Sequence, residues 1–177
     1  SGLISPIYDI TGIEDFTKLQ SLSLYDQPIA SADLSGIQNS VNEFIQFQNC
    51  SLLSSLIMPT SFCGIVLKDC VSLQSVVVPA ASTISNGVNL NIVQIQGCNN
   101  LETLDLSSLV VNAGPKIWLL DNTLLSEVNL ANGGCSLYSD VLIQQNPSLF
   151  CVQVDDPNYS DLSSSWSWLE RDTWPIV

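Results

Sequence analysis

The fold of this chain is decided by a ten-residue stretch that recurs along it: Cys98-Asn99-Asn100-Leu101-Glu102-Thr103-Leu104-Asp105-Leu106-Ser107. The same arrangement, Cys or Asn followed by x-x-Leu-x-x-φ-x-φ with φ apolar, starts at Cys50, Cys70, Asn122 and Asn146. These five anchor residues are separated by steps of 20, 28, 24 and 24 residues. Repeats of this length are typical of solenoids, in which each coil buries its apolar side chains only against neighbouring coils.

A second apolar pair precedes every anchor, always at five and three residues before it. The pairs are Ile45/Phe47, Ile65/Leu67, Val93/Ile95, Ile117/Leu119 and Val141/Ile143. Alternation over so few residues indicates a short strand with one buried face. The sequence therefore predicts a mainly β solenoid of about six coils, with parallel sheets on two sides and little helix.

The anchor position needs a polar group inside the coil. Where the chain turns sharply inward, backbone N–H and C=O groups lose their sheet partners and need local ones. An inward Asn supplies both donors and acceptors, and a buried Cys supplies a weak S–H donor. We therefore expect Cys50, Cys70, Cys98, Asn122 and Asn146 to form a structural ladder, with its three thiols free rather than bonded to one another.

The two ends differ from the central repeats. We expect one domain over residues 1–177, with an N-terminal cap and first repeat in 1–40, central repeats in 41–154 and a C-terminal cap in 155–177. In the first repeat, Phe16 takes the anchor position, residues 12–18 form a helical turn, and residues 25–40 form an enlarged loop. The tail contains Trp166, Trp168 and Trp174, for which a cap over the last coil is favoured over a sugar-stacking platform.

Composition excludes several classes of function. The formal net charge is −13, from 17 acidic and 4 basic residues, which argues against nucleic-acid partners and anionic membrane surfaces. No apolar run is long enough to span a membrane. The chain has no His, so Ser-His-Asp catalysis, Cys-His catalysis and His-ligated zinc are all impossible. We expect no metal and no cofactor.

Two smaller features leave alternatives open. Cys63, Cys135 and Cys151 lie off the ladder, and the last two either form a disulfide or stay free, with free thiols favoured. Asp155 and Asp156 either contribute to a calcium site or cap the turn before Pro157. The turn is favoured, because two carboxylates do not supply the six to eight oxygens that calcium takes.

Candidate binding residues point outward from the two sheets. On one sheet the predicted ladders run from Ser21 and Ser23 towards Thr103, Asp105, Glu127 and Asn129. On the other, Trp118 and Leu120 form an apolar cluster with Leu142, which indicates either an interface or a surface under an inserted loop. Asp105 and Glu127 would suit glycoside hydrolysis, but a regular open sheet offers no cleft to raise one pKa. We therefore do not expect an enzyme.

The repeats resemble leucine-rich repeats, and those with Cys and a closing Pro, at residues 50–59 and 70–79, resemble the BspA-like class. Residues 9–19 and 146–160 are similar to the first and closing segments of secreted leucine-rich-repeat proteins of Bacteroidota bacteria. The resemblance implies a secreted or cell-surface module that binds a protein or polysaccharide, with no catalytic residues, often beside other modules of a longer chain. The alternative is a structural spacer or assembly module of a larger surface protein.

Overall fold

The computed structural model describes residues 5–16, 18–37, 44–84, 91–112 and 114–155, and the backbone of 166–168. Parallel strands dominate these residues, and 3₁₀ turns at Ile13–Asp15 and Cys135–Leu137 are the only helical segments among them. In chain order the strands are β1 (Leu22–Tyr25), β2 (Ser31–Asp33), β3 (Ile45–Gln48), β4 (Ser55–Ile57), β5 (Ser61–Phe62), β6 (Gly64–Lys68), β7 (Ser75–Val77), β8 (Thr83–Ile84), β9 (Ile92–Gln96), β10 (Thr103–Asp105), β11 (Val110–Val111), β12 (Lys116–Leu120), β13 (Glu127–Asn129), β14 (Asp140–Gln144), β15 (Cys151–Gln153) and β16 (Trp166–Trp168).

The largest sheet has seven strands in the order β1-β3-β6-β9-β12-β14-β16. Its register stacks the predicted apolar pairs directly on one another, so that Ile117 pairs with Val93 and Val141, and Leu119 pairs with Ile95 and Ile143. All six of these side chains are buried. Because β1 to β14 are six successive strands, they enclose five turns of a β-solenoid, one fewer than the sequence predicts.

The coils have three sides with sheet rather than the predicted two. The x-x-Leu-x-x-φ-x-φ segments form β2-β4-β7 and β10-β13-β15 on the second side, and β5, β8 and β11 form a third. Strands on the third side have two residues each, which is too short for a periodic pattern to reveal them. Within the described residues the second side is interrupted between β7 and β10, where the longest step between anchors falls and Val76 and Val78 are only partly buried.

The predicted anchor ladder is present and completely buried at its three thiols and Asn122. The thiols of Cys50 and Cys70 lie 3.6 Å from carbonyl oxygens of the preceding coil, at Leu24 and Phe47. Asn122 makes a shorter hydrogen bond of the same kind, in which its Nδ2 donates to the Ile95 oxygen at 3.0 Å. Its Oδ1 also accepts the N–H of Cys98 at 3.0 Å, which joins the thiol half of the ladder to the amide half.

The ladder thiols are free. The side-chain hydrogen bond with Cys70, followed by burial, raises the pKa of Cys50 far above its usual range. The hydrogen bond with Cys50 lowers the pKa of Cys70, but the contact with Cys98 and burial outweigh it and raise this pKa to about 12. Cys50 and Cys70 are therefore neutral thiols that pack as small apolar groups.

A left-handed residue precedes every anchor and turns the chain into the next side of the coil. The residues with positive φ at this position are Asp26, Asn49, Asp69, Gly97, Asp121 and Gln145. Asn, Asp and Gly tolerate this conformation best, which explains why they dominate the position. At Gly97 space also favours glycine, because a Cβ would collide with the Asp69 carboxylate and that carboxylate would have to shift.

The structure corrects the assignment of the first coil. Leu22 and Leu24 lie in the seven-stranded sheet, in register with Ile45 and Phe47, so Ser21 and Ser23 are not part of the second-side ladder. Phe16 is 63% exposed and is not an anchor.

The anchor of the first coil is Gln27, which also follows a left-handed residue, Asp26. Its Nε2 donates to the oxygen of Tyr25, two residues earlier, as Asn146 Nδ2 does to Gln144. Residues assigned to an enlarged loop instead complete this coil, with Ile29 and Leu34 buried and β2 paired to β4. The predicted helical turn is present only as the 3₁₀ turn Ile13–Asp15.

At the far end, β16 extends the seven-stranded sheet. The backbone of Trp166 is in register with Val141 and that of Trp168 with Ile143, so this part of the tail follows the last full coil directly. Trp174 lies outside the described residues. Cys151 is a free, partly buried thiol, which is contrary to the disulfide alternative with Cys135, whose side chain lies outside the described residues.

Candidate binding face

The outward side of the seven-stranded sheet is a flat surface rich in side-chain amides, which we call the amide face. It is formed by two columns of residues that cross β3, β6, β9, β12 and β14: Gln46, Val66, Gln94, Trp118 and Leu142, and beside them Gln48, Lys68, Gln96, Leu120 and Gln144. All ten side chains are half-buried. They therefore pack against one another along the sheet and leave one flank of each side chain open to solvent.

Hydrogen bonds hold the glutamines of the amide face in place. Gln46 Nε2 donates to Gln48 Oε1 at 3.3 Å, and the Tyr25 hydroxyl donates to Gln46 Oε1 at 2.8 Å. Two strands away, Gln94 Nε2 donates to Gln96 Oε1 at 3.2 Å. The same hydrogen bond between two glutamine amides thus occurs twice on this face, once on β3 and once on β9.

Trp118 is the largest side chain of the amide face, and two polar neighbours fix its ring. Its Nε1 donates to Asp140 Oδ2 at 2.9 Å, and Lys116 Nζ lies 5.5 Å from the ring centroid. Gln94 and Leu142 are its register partners on the adjacent strands. A Trp that is held by its N–H while part of its ring stays open is arranged to contact a ligand with little loss of side-chain entropy.

Both basic and acidic side chains lie on this side of the solenoid, although the chain as a whole is strongly acidic. Two of the four basic residues, Lys68 and Lys116, point outward from this sheet. Acidic groups accompany them: Asp69 follows Lys68 in the chain, Asp140 is the register partner of Lys116, and Asp121 Oδ2 accepts a bond from Gln96 at 3.3 Å.

The other predicted site residues meet on the second side of the solenoid. Thr103 pairs with Glu127, and Asp105 pairs with Asn129, on β10 and β13. Two of these side chains hydrogen-bond to the backbone of the turns that follow their strands. Asp105 Oδ1 accepts the N–H of Ser107 at 2.9 Å, and Asn129 Oδ1 accepts the N–H of Ala131 at 3.0 Å. The predicted residues thus form two separate groups, and Trp118 and Leu120 belong to the amide face alone.

A polar hollow of about 370 Å³ lies near the first coil. Its lining includes Asp9, Glu14 and Asp33, and neither Asp105 nor Glu127 belongs to it. Hydrogen bonds from Ser35 hold the pKa of Asp33 below its ordinary value, and those from Thr11 do the same for the pKa of Asp9. These two carboxylates therefore stay ionised and act as turn caps.

Asp155 Oδ1 accepts the N–H of Gly133, in the preceding coil, at 2.8 Å. Asp156 and the turn before Pro157 lie outside the described residues, so the choice between a turn cap and a calcium site stays a prediction. Among the side chains that the structure describes, no group of three or more His, Cys, Asp or Glu could hold a metal ion.

The repeated amide pairs are the feature that sequence reasoning left unused. Gln occurs four and two residues before Cys50 and again before Cys98, on both occasions in an outward position.

No protein-family model, curated protein or solved structure matches this chain. In the described part of the molecule, no helix has the length and apolar character needed to cross a membrane.

Proposed function

We propose that this chain is a non-enzymatic binding module of a secreted or cell-surface protein, and that it recognises a polysaccharide or a protein through the amide face. The observation that carries the proposal is the combination of a fixed, half-exposed Trp118 with two prearranged glutamine pairs on one flat surface. Side chains that are already ordered before binding lose little entropy when a ligand arrives.

We further propose that the coils are leucine-rich repeats of the BspA-like kind. The support is the Cys-x-x-Leu-x-x-φ-x-φ pattern together with the burial of its Cys and Leu positions, as at Cys98 and Leu101. A secreted or surface location follows from the same resemblance.

The test is an array that carries neutral and charged polysaccharides together with purified extracellular-matrix and cell-wall proteins, probed with the fluorescently labelled chain. We expect saturable binding to at least one class, weakened by Trp118→Ala and unaffected by Thr103→Ala on the second side. Circular dichroism of both variants checks that the solenoid is intact. A surviving signal in Trp118→Ala that disappears in Thr103→Ala would place the site on the second side and contradict the proposal.

The alternative function, a structural spacer or assembly module, is favoured by one observation. Trp118, Leu120 and Leu142 are apolar neighbours on a sheet face that is otherwise mostly polar, and such clusters often lie in protein–protein contacts. Sedimentation velocity over a hundredfold concentration range distinguishes the two functions. A dimer that persists on dilution and is lost in Leu142→Gln, with no binding on the array, would establish assembly instead.

A further inference from the structure

We propose that the ligand of the amide face is a neutral, extended polysaccharide that lies across the strands, parallel to the solenoid axis. This inference rests on the proposed function and goes beyond it by naming the class of ligand and its direction. Trp118 would contact the apolar face of a sugar ring, and the glutamine pairs would bind hydroxyl groups on either side.

The hydrogen-bonding capacity of the face suits hydroxyl groups. Each glutamine amide has two donor hydrogens and an acceptor oxygen with two lone pairs. In the pair Gln94–Gln96 one donor and one acceptor position are used internally, so both amides keep further capacity in a fixed orientation. A hydroxyl group donates and accepts at once, and it is therefore a better match to an amide than a carboxylate or an ammonium group is.

The spacing of the pairs gives the direction of the polymer. Gln46–Gln48 lies on β3 and Gln94–Gln96 on β9, with β6 between them. Two strand spacings amount to about 9.6 Å, so a ligand that crosses the strands meets the same amide pair at that interval. An extended β-linked polysaccharide, in which alternate sugars are rotated, repeats every second sugar over a comparable length. A ligand lying along a single strand would meet only one of the two pairs.

Charge decides in favour of a neutral polymer. The net charge of −13 repels polyanions, and each of the two lysines has an acidic neighbour: Asp69 follows Lys68 in the chain, and Asp140 is the register partner of Lys116. A polyanion would require several basic side chains without acidic neighbours. A protein partner would be expected to cover a surface whose centre is apolar and aromatic. On the amide face half of the ten side chains are amides, and the apolar cluster of Trp118, Leu120 and Leu142 lies on β12 and β14 at one end of the two columns.

The experiment measures affinity for neutral oligosaccharides of two, four and six sugars by isothermal titration calorimetry, using β-linked glucan, xylan and mannan series, with oligo-alginate as the anionic counterpart. We expect binding to one neutral series, with affinity that rises to about four sugars, because β3 to β14 span about 19 Å. Trp118→Ala should weaken binding about tenfold or more, while Trp118→Phe, which keeps an aromatic ring, should retain most of it.

The glutamine pairs have a matched control on another sheet. The double variant Gln46→Ala/Gln94→Ala should weaken binding roughly tenfold. Gln153→Ala removes an exposed glutamine from β15 on the second side and should leave the affinity unchanged.

The outcomes separate this inference from the proposed function. Binding of a protein through the amide face, lost in Trp118→Ala, would overturn the polysaccharide inference and keep the proposed function. Preference for alginate over the neutral series, or equal affinity for two and six sugars, would likewise overturn the inference alone. Absence of binding to every polysaccharide and protein would overturn both.

Discussion

Replacing the anchor residue with Ala in two adjacent coils tests how the ladder stabilises the solenoid. Asn122 and Cys98 are both fully buried, occupy the same position and are direct neighbours. They differ in the hydrogen bonds that they make. Asn122→Ala and Cys98→Ala therefore form a matched pair in which burial and backbone position are the same.

The expected losses follow from the contacts. Asn122→Ala leaves the Cys98 N–H without its acceptor, at about 1–3 kcal/mol, and removes the bonds to Ile95 and Asn146, at roughly 0.5–1.5 kcal/mol each. We expect a total loss of about 3 kcal/mol in the free energy of unfolding. Cys98→Ala removes one sulfur atom with contacts of 3.7 and 3.8 Å to carbonyl oxygens, and it should cost about 1 kcal/mol.

The assay is equilibrium unfolding in urea followed by far-ultraviolet circular dichroism, supported by thermal melts. For a chain of this size the two losses correspond to decreases in Tm of about 9 °C and about 3 °C. Because solenoids can unfold in parts, the slopes of the transitions must agree between variants before the free energies are compared. Asn122→Cys, which extends the thiol ladder by one coil, should fall between the two. Equal losses for Asn122→Ala and Cys98→Ala would refute the reasoning, because packing alone would then account for the anchor.

Two further predictions concern single positions. The thiols of Cys50 and Cys70, whose pKa values are both raised, should not react with an aromatic disulfide reagent at pH 8 in the folded chain. A pKa of about 12 leaves about one thiolate in ten thousand at Cys70, whereas the partly exposed Cys151 should react. Mass spectrometry of the labelled protein locates the modified thiols, and rapid labelling at Cys70 before unfolding would contradict the prediction. Gly97→Ala should destabilise the fold by about 2–3 kcal/mol, because φ is +65° and the new Cβ meets Asp69, whereas Gly133→Ala, at φ +77° in open space, should cost only about 1 kcal/mol; urea titration of both variants gives the comparison.

The central coils could be predicted from the sequence because their pattern has a direct physical cause. Inward positions such as Ile117 and Leu119 must be apolar, and the anchor must be small and polar, so every central coil repeats both requirements. The structure confirms the β-solenoid, the parallel sheets and the buried ladder on this basis. The left-handed column was also visible in principle, as Asp, Asn or Gly before nearly every anchor.

The first coil could not be predicted in the same way, because Gln27 replaces the usual anchor. Gln27 also accepts the N–H of Ile7 at 2.7 Å, so its longer side chain reaches a terminal segment that has no counterpart in the central coils. The segment between the anchor and the second-side strand is also one residue shorter in the first coil. Gln27 lies four residues before Ser31, whereas Cys50 lies five residues before Ser55, the register partner of Ser31. Counted from Phe16, Leu22 and Leu24 match the second-side pattern, which is why the sequence assigns Ser21 and Ser23 to the wrong sheet.

The residues that hold the coils together and the residues of the amide face alternate along the same strands. On β12 the inward Ile117 and Leu119 hold the coil, while Trp118 and Leu120 belong to the amide face. The spacing of the strands fixes the positions of the inward and the outward residues alike. The stacking that places Asn122 against Cys98 therefore also places Gln94 beside Trp118. Outward residues can therefore change from coil to coil without disturbing the ladder. The repetition of one hydrogen-bonded glutamine pair on β3 and β9 is then not required by the fold, and the proposed ligand, by meeting both pairs, would account for it.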